Sequence, residues 1–325
     1  MPRKARLDAP GALHHIMVRG INKAAIFNDD QDRNKFLERL GTTVSEAKCA
    51  IYAWVLMTNH VHLLFKSGGK GISTTMRKLL TWYAIYHNRR HRRTGHLFEN
   101  RYKSIICDED NYLLALIRYI HLNPVRAGMV KTLEELDRYP WSGHSAVMNK
   151  RECPWMDTDY VLLQFNDTRR RARNAYRKFV QEGLGMGRKP ELTGGGLVRS
   201  RGGWSRVQSA QRKGQKTEYD ERILGRGDFV TAIFKEAEEK QLRQFKLRRA
   251  GATIEGIIRK ECSAAGISDR ELRIGSRRHV VSVTRMRIAW RGVKELGLTS
   301  AEIARHLGVC TSTITRAIEK EAGAA

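Results

Sequence analysis

Met57-Thr58-Asn59-His60-Val61-His62-Leu63-Leu64 is the stretch on which the reading of this chain turns. Its apolar, β-prone character predicts a strand. The side-chain period of two then sends His60 and His62 to one face and Val61 to the other. Two neutral imidazoles on one face can each offer a nitrogen to a divalent cation. The pair alone is a weak sign, because two partly exposed histidines on a sheet have the same spelling. A zinc site would want a further Cys or His at fixed spacing, and none stands nearby. Asn59 suits the turn ahead of the strand, where its amide can bond backbone.

Working outward, residues 50–57 and 60–66 read as a hairpin turned at Thr58-Asn59. A strand over 12–19 and a helix over 29–48, with Phe36, Leu37, Leu40 and Val44 on one side, precede it. A helix over 72–89, a strand over 101–107 and a helix over 108–122 follow. In that last helix Asp108 is the expected N-cap, and Leu113, Leu116, Ile117 and Ile120 form the buried stripe. Tyr119 and Asn123 stand four apart, hence on one face, beside the stripe and able to border a cleft. Pro124 is expected to end the helix. A tyrosine phenol, with a pKa near about 10, is a poor nucleophile at neutral pH, and a nearby cation favours its phenolate. An amide oxygen one turn away can complete a metal site. Tyr112 is the competing nucleophile, but Leu116 occupies its i+4 place.

The whole chain has 325 residues, enough for two or three domains, and a formal net charge of +26. So lopsided a charge points to a polyanion, nucleic acid before membrane. No apolar run approaches the roughly 18 residues that span a bilayer. The basic N-terminus lacks the apolar segment of a secretion signal. Five dispersed cysteines without a CxxC pair argue against a disulfide framework and fit a reducing cytoplasm. Residues 1–165 form the expected α/β domain. Residues 166–216 are the expected linker, with 14 Lys/Arg against Glu182 and Glu191 between 169 and 216 and eight glycines between 183 and 203. Such a linker suits a phosphate-contacting arm better than a passive tether. Residues 217–325 read as all helical.

The blocks Arg19-Gly20, Ile26-Phe27-Asn28-Asp29-Asp30, Met57 to Leu64, Arg101-Tyr102-Lys103-Ser104, Arg118-Tyr119-Ile120-His121-Leu122-Asn123-Pro124-Val125-Arg126-Ala127-Gly128 and Tyr139-Pro140-Trp141-Ser142 recur in a familiar order. Over about the first 145 residues the chain resembles the REP-associated tyrosine transposases, a branch of the single-tyrosine HUH transposases of the IS200/IS605 type. That resemblance implies a ferredoxin-like α/β sandwich, the HUH nuclease domain, with the His pair on a central strand. It implies His60, His62 and Asn123 as ligands of Mg²⁺ or Mn²⁺, and Tyr119 as nucleophile. It also implies binding of a DNA hairpin and cleavage of adjacent single-stranded DNA, leaving a 5′-phosphotyrosine and a free 3′-OH that can reverse the bond onto another strand. Thr58 departs from the family's usual proline, which loosens the turn and leaves the ligands intact. Relatives act as monomers or as homodimers that exchange the tyrosine.

Ser300 to Glu319 fits a helix-turn-helix, making the C-terminal domain an all-α reader. Ala304 fills the small crossing position and Gly308 the turn; Ile303, Leu307, Val309, Ile314 and Ala317 are the buried positions. Thr311, Ser312, Thr313, Thr315 and Arg316 are the candidate DNA contacts on the recognition helix. Val283, Met286, Trp290 and Val293 are the expected core of the preceding helix. Residues 276–320 resemble the DNA-binding domain of the replication initiator DnaA, which implies duplex binding. In the first domain, Arg19, Arg101 and Lys103 are the candidate phosphate contacts, and His15 and His121 lie near the expected site. The expected function is a metal-dependent DNA transposase in a bacterial cytoplasm, associated with the nucleoid. The alternatives are a non-catalytic DNA-binding regulator, a relaxase or replication-initiator nickase, and an RNA-binding module presenting Tyr52 and Trp54.

Overall fold

The computed structural model describes residues 7, 11–68, 71–187, 192, 222–225, 228–233, 235, 251–274, 276, 278–298, 300–309 and 311–324. The chain forms two compact units, Met1–Ile233 and Phe234–Ala325.

The first unit is built on a five-stranded sheet in the order β2-β3-β1-β4-β5. Its strands are β1 (Leu13–Arg19), β2 (Ala50–Leu56), β3 (His60–Lys66), β4 (Lys103–Cys107) and β5 (Ile223–Leu224). The first four pair antiparallel. Helix α1 (Asp30–Glu46) links β1 to β2, and α2 (Ser73–Arg90) links β3 to β4. That order and alternation are the ferredoxin-like arrangement. Right-handed crossovers place α1 and α2 on one face, where Phe27, Phe36 and Tyr83 pack ring against ring, Phe36 to Tyr83 at 5.0 Å. Helix α3 (Glu109–His121) packs against β2 and β3 on the other face. Its Leu113, Leu116, Ile117 and Ile120 are buried, as their spacing predicts. Asp29 and Asp108 cap α1 and α3 by accepting the backbone N–H of Asp32 and Asn111. β1 lies between two partners, so its residues are buried almost without interruption.

Several expectations need correcting. Helix α3 ends at His121, ahead of Pro124 as expected, but Asn123 falls beyond it: Pro124 sits in the first turn of a separate α4 (Asn123–Arg126), where its missing N–H is not needed. Three short helices follow, α5 (Leu133–Arg138), α6 (Gly143–Val147) and α7 (Thr158–Leu163), and then α8 (Arg169–Glu182). The expected domain end at 165 falls inside the first unit, because α8 buries Ala172, Tyr176 and Val180 there. Residues 217–325 are not all helical either. Ile223–Leu224 adds to the outer edge of β4 in parallel, with Ile106 and Asp108 N–H donating to the carbonyls of Arg222 and Leu224 at 2.8 Å. Most of the glycine-rich stretch expected as linker lies outside the described residues.

The second unit consists of α9 (Ile254–Ala265), α10 (Asp269–Arg273), α11 (His279–Leu296), α12 (Ser300–Leu307) and α13 (Thr311–Ala324). Its core includes Ile258, Leu272, Ile288, Ile303, Leu307 and Ile314. The buried stripe of α11 is Val281, Thr284, Arg285, Ile288, Ala289, Gly292 and Leu296 in place of the expected Val283, Met286 and Trp290, while the expected Val293 packs half-buried against that core. The reason is Arg285, which enters the stripe because Leu272 and Ser276 carbonyls accept from its guanidinium at 2.9 and 3.3 Å. Between α12 and α13, Gly308 adopts φ +62°, and a Cβ there would lie 2.5 Å from the Arg273 carbonyl oxygen. Among the described residues no helix is long and apolar enough to cross a membrane.

Candidate active site

The register of the sheet sets out the site. Arg19 stands opposite His60, Met17 opposite His62, and Lys103 opposite Met17. Paired residues share a face, so His15, Met17 and Arg19 of β1 join His60 and His62 of β3 and Lys103 of β4 on the face that α3 covers. The His60 and His62 rings are 5.2 Å apart. The Tyr119 ring of α3 meets His62 and His15 edge-on, each at 5.9 Å. The ring brought to the histidines is therefore Tyr119, two turns beyond Tyr112.

Hydrogen bonds fix where the imidazole protons lie. A carbonyl oxygen only accepts, so Leu192 O, 3.2 Å from His15 Nδ1, holds the proton on that nitrogen. His15 Nε2 is then an acceptor, and His62 Nδ1, 3.0 Å away, must donate to it. The same logic runs through Asn59. Its amide N–H donates to Lys23 O at 2.8 Å, which turns Oδ1 towards His60 Nδ1 at 2.7 Å. Both histidines thus carry Nδ1–H and keep the Nε2 lone pair. This is the tautomer a metal ligand needs, with an outer partner holding each ring.

The electrostatics agree. Burial, and after it the charge of Arg19, pushes His60 down to about 4. Burial, followed by His15, His60 and Arg19, holds His62 well below the ordinary histidine value. Both are neutral at physiological pH, so no proton competes for Nε2. The donor set fits a divalent cation. Asn123 stands one turn beyond the tyrosine, its amide N–H donating to the carbonyls of Tyr119 and Ile120 at 3.0 and 3.3 Å. That orientation leaves Oδ1 as the atom facing away from those carbonyls.

Two features escaped the sequence reading. Arg126 places its guanidinium over the Tyr119 ring at 5.4 Å and donates to the Tyr119 carbonyl at 3.1 Å. Its i+7 spacing from Tyr119 was the available signal. The second is the support of α3 by α8. Tyr176 Oη lies 2.7 Å from the Nδ1 of both His121 and His144. His144 Nε2–H donates to Asp137 at 2.8 Å, which also accepts from Arg177. The hydroxyl therefore donates to His144 and accepts from His121. His121 belongs to this buried network. Arg118 adds a cation–π contact, 4.2 Å above the Phe179 ring.

Of the other expected contacts, Arg19, Arg101 and Lys103 are exposed, and Arg19 and Lys103 lie on the same sheet face as the histidines. In the second unit Thr311 and Arg316 are exposed, while Thr313 and Thr315 are half-buried; Thr315 donates to the Thr311 carbonyl. The Ser312 side chain lies outside the described residues.

Residues 10–123 match the family model described as "Transposase IS200 like". A solved structure of a REP-associated tyrosine transposase bound to a REP hairpin is similar over 48% of this chain and 91% of that one. The identity is 18% and the TM-score 0.39. No curated protein matches the chain.

Proposed function

Because residues 10–123 match the family model described as "Transposase IS200 like", we propose that this protein cleaves and rejoins single-stranded DNA beside a hairpin, with Tyr119 as the nucleophile. His60, His62 and Asn123 are the ligands we assign to a divalent cation, Mg²⁺ or Mn²⁺. When bound, that cation withdraws charge from the scissile phosphate and favours the phenolate. Everything else falls to the chain's own residues. His15 and Asn59 hold the two imidazoles in the ligand tautomer. Arg126, over the Tyr119 ring, favours the ionised phenol. Tyr119 Oη then forms a bond to phosphorus as the bond to the 3′-oxygen breaks. The phenolic proton passes to solvent and the 3′-oxygen gains one, leaving a 5′-phosphotyrosine that a second 3′-OH can attack. Arg19 and Lys103, on the same sheet face, suit neighbouring phosphates, and Arg101 suits the strand beyond.

The observation that carries this reading is the Tyr119 ring against a histidine whose free nitrogen is set by its neighbours. For the second unit we propose duplex DNA as partner, through Thr311, Ser312, Thr313, Thr315 and Arg316 at the start of α13. The net charge of +26 supports a DNA partner for the chain as a whole.

The test is an adduct assay with hairpin DNA carrying a single-stranded flank, labelled at the 5′ or the 3′ end, with Mg²⁺ or Mn²⁺. A metal-dependent covalent band on 3′-labelled DNA, absent in Tyr119→Phe, is the expected result. An adduct that survives in Tyr119→Phe moves the nucleophile elsewhere, Tyr112 first. Clear hairpin binding without any adduct would replace the enzyme by a DNA-binding regulator.

A further inference from the structure

Beneath the other face of the sheet, the first turn of α1 meets the last turn of α2. His87 in the last turn of α2 and His91, its C-cap residue, stand four apart, so they share one side of the helix, and their rings are 4.5 Å apart. Both face Asp32 of α1, whose side chain is fully buried. His91 Nε2 lies 2.9 and 3.1 Å from the two Asp32 oxygens. His87 is 1% exposed, and neither of its ring nitrogens has a hydrogen-bond partner. A buried imidazole with two idle nitrogens is costly unless something else occupies one of them. One ligand atom from each of the three residues lies within 4.8 Å of the others.

We propose that Asp32, His87 and His91 form a second metal site, separate from the His60–His62 pair, that takes Zn²⁺ or a similar borderline transition cation. Two imidazoles and one carboxylate are a familiar donor set for zinc, with water in the fourth place. Ligands of a tetrahedral ion at about 2.0 Å stand roughly 3.3 Å apart, so the three atoms need to close by at most about 1.5 Å. The cation takes the place of the proton that His91 Nε2 shares with Asp32. His91 then carries its hydrogen on Nδ1.

The nearby positive charge of Arg90 is paired with carboxylates. Arg90 donates to both oxygens of Asp29, at 2.8 and 2.7 Å, as well as to Oδ1 of Asp32. Oδ2 of Asp32 accepts from the Asn28 N–H at 2.9 Å and faces His91. Arg90 thus shares its charge between Asp29 and Oδ1 of Asp32, with Nη1 also 3.4 Å from His91 Nε2, and Oδ2 of Asp32 is the oxygen offered to the cation. His91 keeps 19% of its side chain exposed, which gives water an approach. The site ties the start of α1 to the end of α2, just ahead of the segment that leads to Arg101. It does not depend on the assignment of Tyr119.

The test uses the full chain with His60→Ala and His62→Ala, so that the first site cannot contribute. The protein is stripped of metal, incubated with Zn²⁺ and desalted, and its metal content is counted. One zinc per chain is expected, falling at least tenfold with His91→Gln added, a partly exposed position whose variant is checked for folding by circular dichroism. Co²⁺ supplies an independent readout in the unsubstituted ligand set: visible bands of a four-coordinate nitrogen–oxygen site. No retained zinc overturns the proposal. So does zinc retained equally in His91→Gln, or Co²⁺ that shows only the weak bands of the hydrated ion.

Discussion

At the residue scale, the protein's chemistry depends on where protons sit. His14 and His15 are adjacent and both fully buried, yet β1 turns them to opposite faces. His14 meets Ser104 at 3.0 Å, and His15 meets His62. Replacing His15 by Ala removes the acceptor that fixes His62. Mn²⁺ affinity, read by calorimetric titration, should fall about 10–100-fold, the usual effect of losing an outer partner. His14→Ala should leave it unchanged. Tyr176→Phe should lower stability by about 1–3 kcal/mol in urea unfolding, because His121 and His144 each lose a buried partner. Some of this could be read from the sequence. The HxH pair and the tyrosine were visible because period two and period 3.6 each put the relevant side chains on a definite face. The proton relay was not, since Leu192 stands 177 residues from His15.

At the scale of elements, the periodic segments were legible and the mixed ones were not. All four long strands, and the helices carrying Phe36 and Leu116, follow apolar patterns dense enough to show their faces. α8 was less plain, because Ala172, Tyr176 and Val180, a stripe at i, i+4 and i+8, stand among Arg169, Arg170, Arg171, Arg173, Arg177 and Lys178. Charge drew the reading towards a linker, while the stripe makes this helix part of the first unit. β5 has two residues, too few for any period, and α11 was misplaced by the arginine inside its apolar face. A chain ending at 165 should therefore fail to fold as a unit. It leaves the α8 docking surface bare and the His121 and His144 nitrogens without Tyr176. Limited proteolysis and circular dichroism should show a loose species, and a chain ending at 233 should be protected. Equal protection of the two would show that α8 is dispensable.

At the scale of the whole molecule, buried neutral histidines set a limit on the acid side. Burial lowers His60 and His87 to about 4, and lowers His62, His121 and His144 below their usual range. The unfolded chain binds protons at these positions once pH drops below about 6.5, and the folded chain does not. Stability is therefore complete above that value and falls as pH descends towards 4. Urea midpoints at pH 7.5, 6 and 5 should decline in that order, and a flat series would contradict the assignment of these histidines as neutral. The order of the chain has one further consequence. The outer edge of β4 waits for residues 223 and 224, and His15 waits for Leu192, so parts made late complete contacts whose first residues are made early. At about 5–20 residues per second, the roughly 100 residues between Asn123 and Leu224 take about 5–20 s to synthesise. For that interval β4 of a nascent chain lacks its β5 neighbour, and for the earlier part of it His15 lacks the Leu192 carbonyl. On the proposed function, the proton relay through His15 is completed only after more than half of the chain has been made.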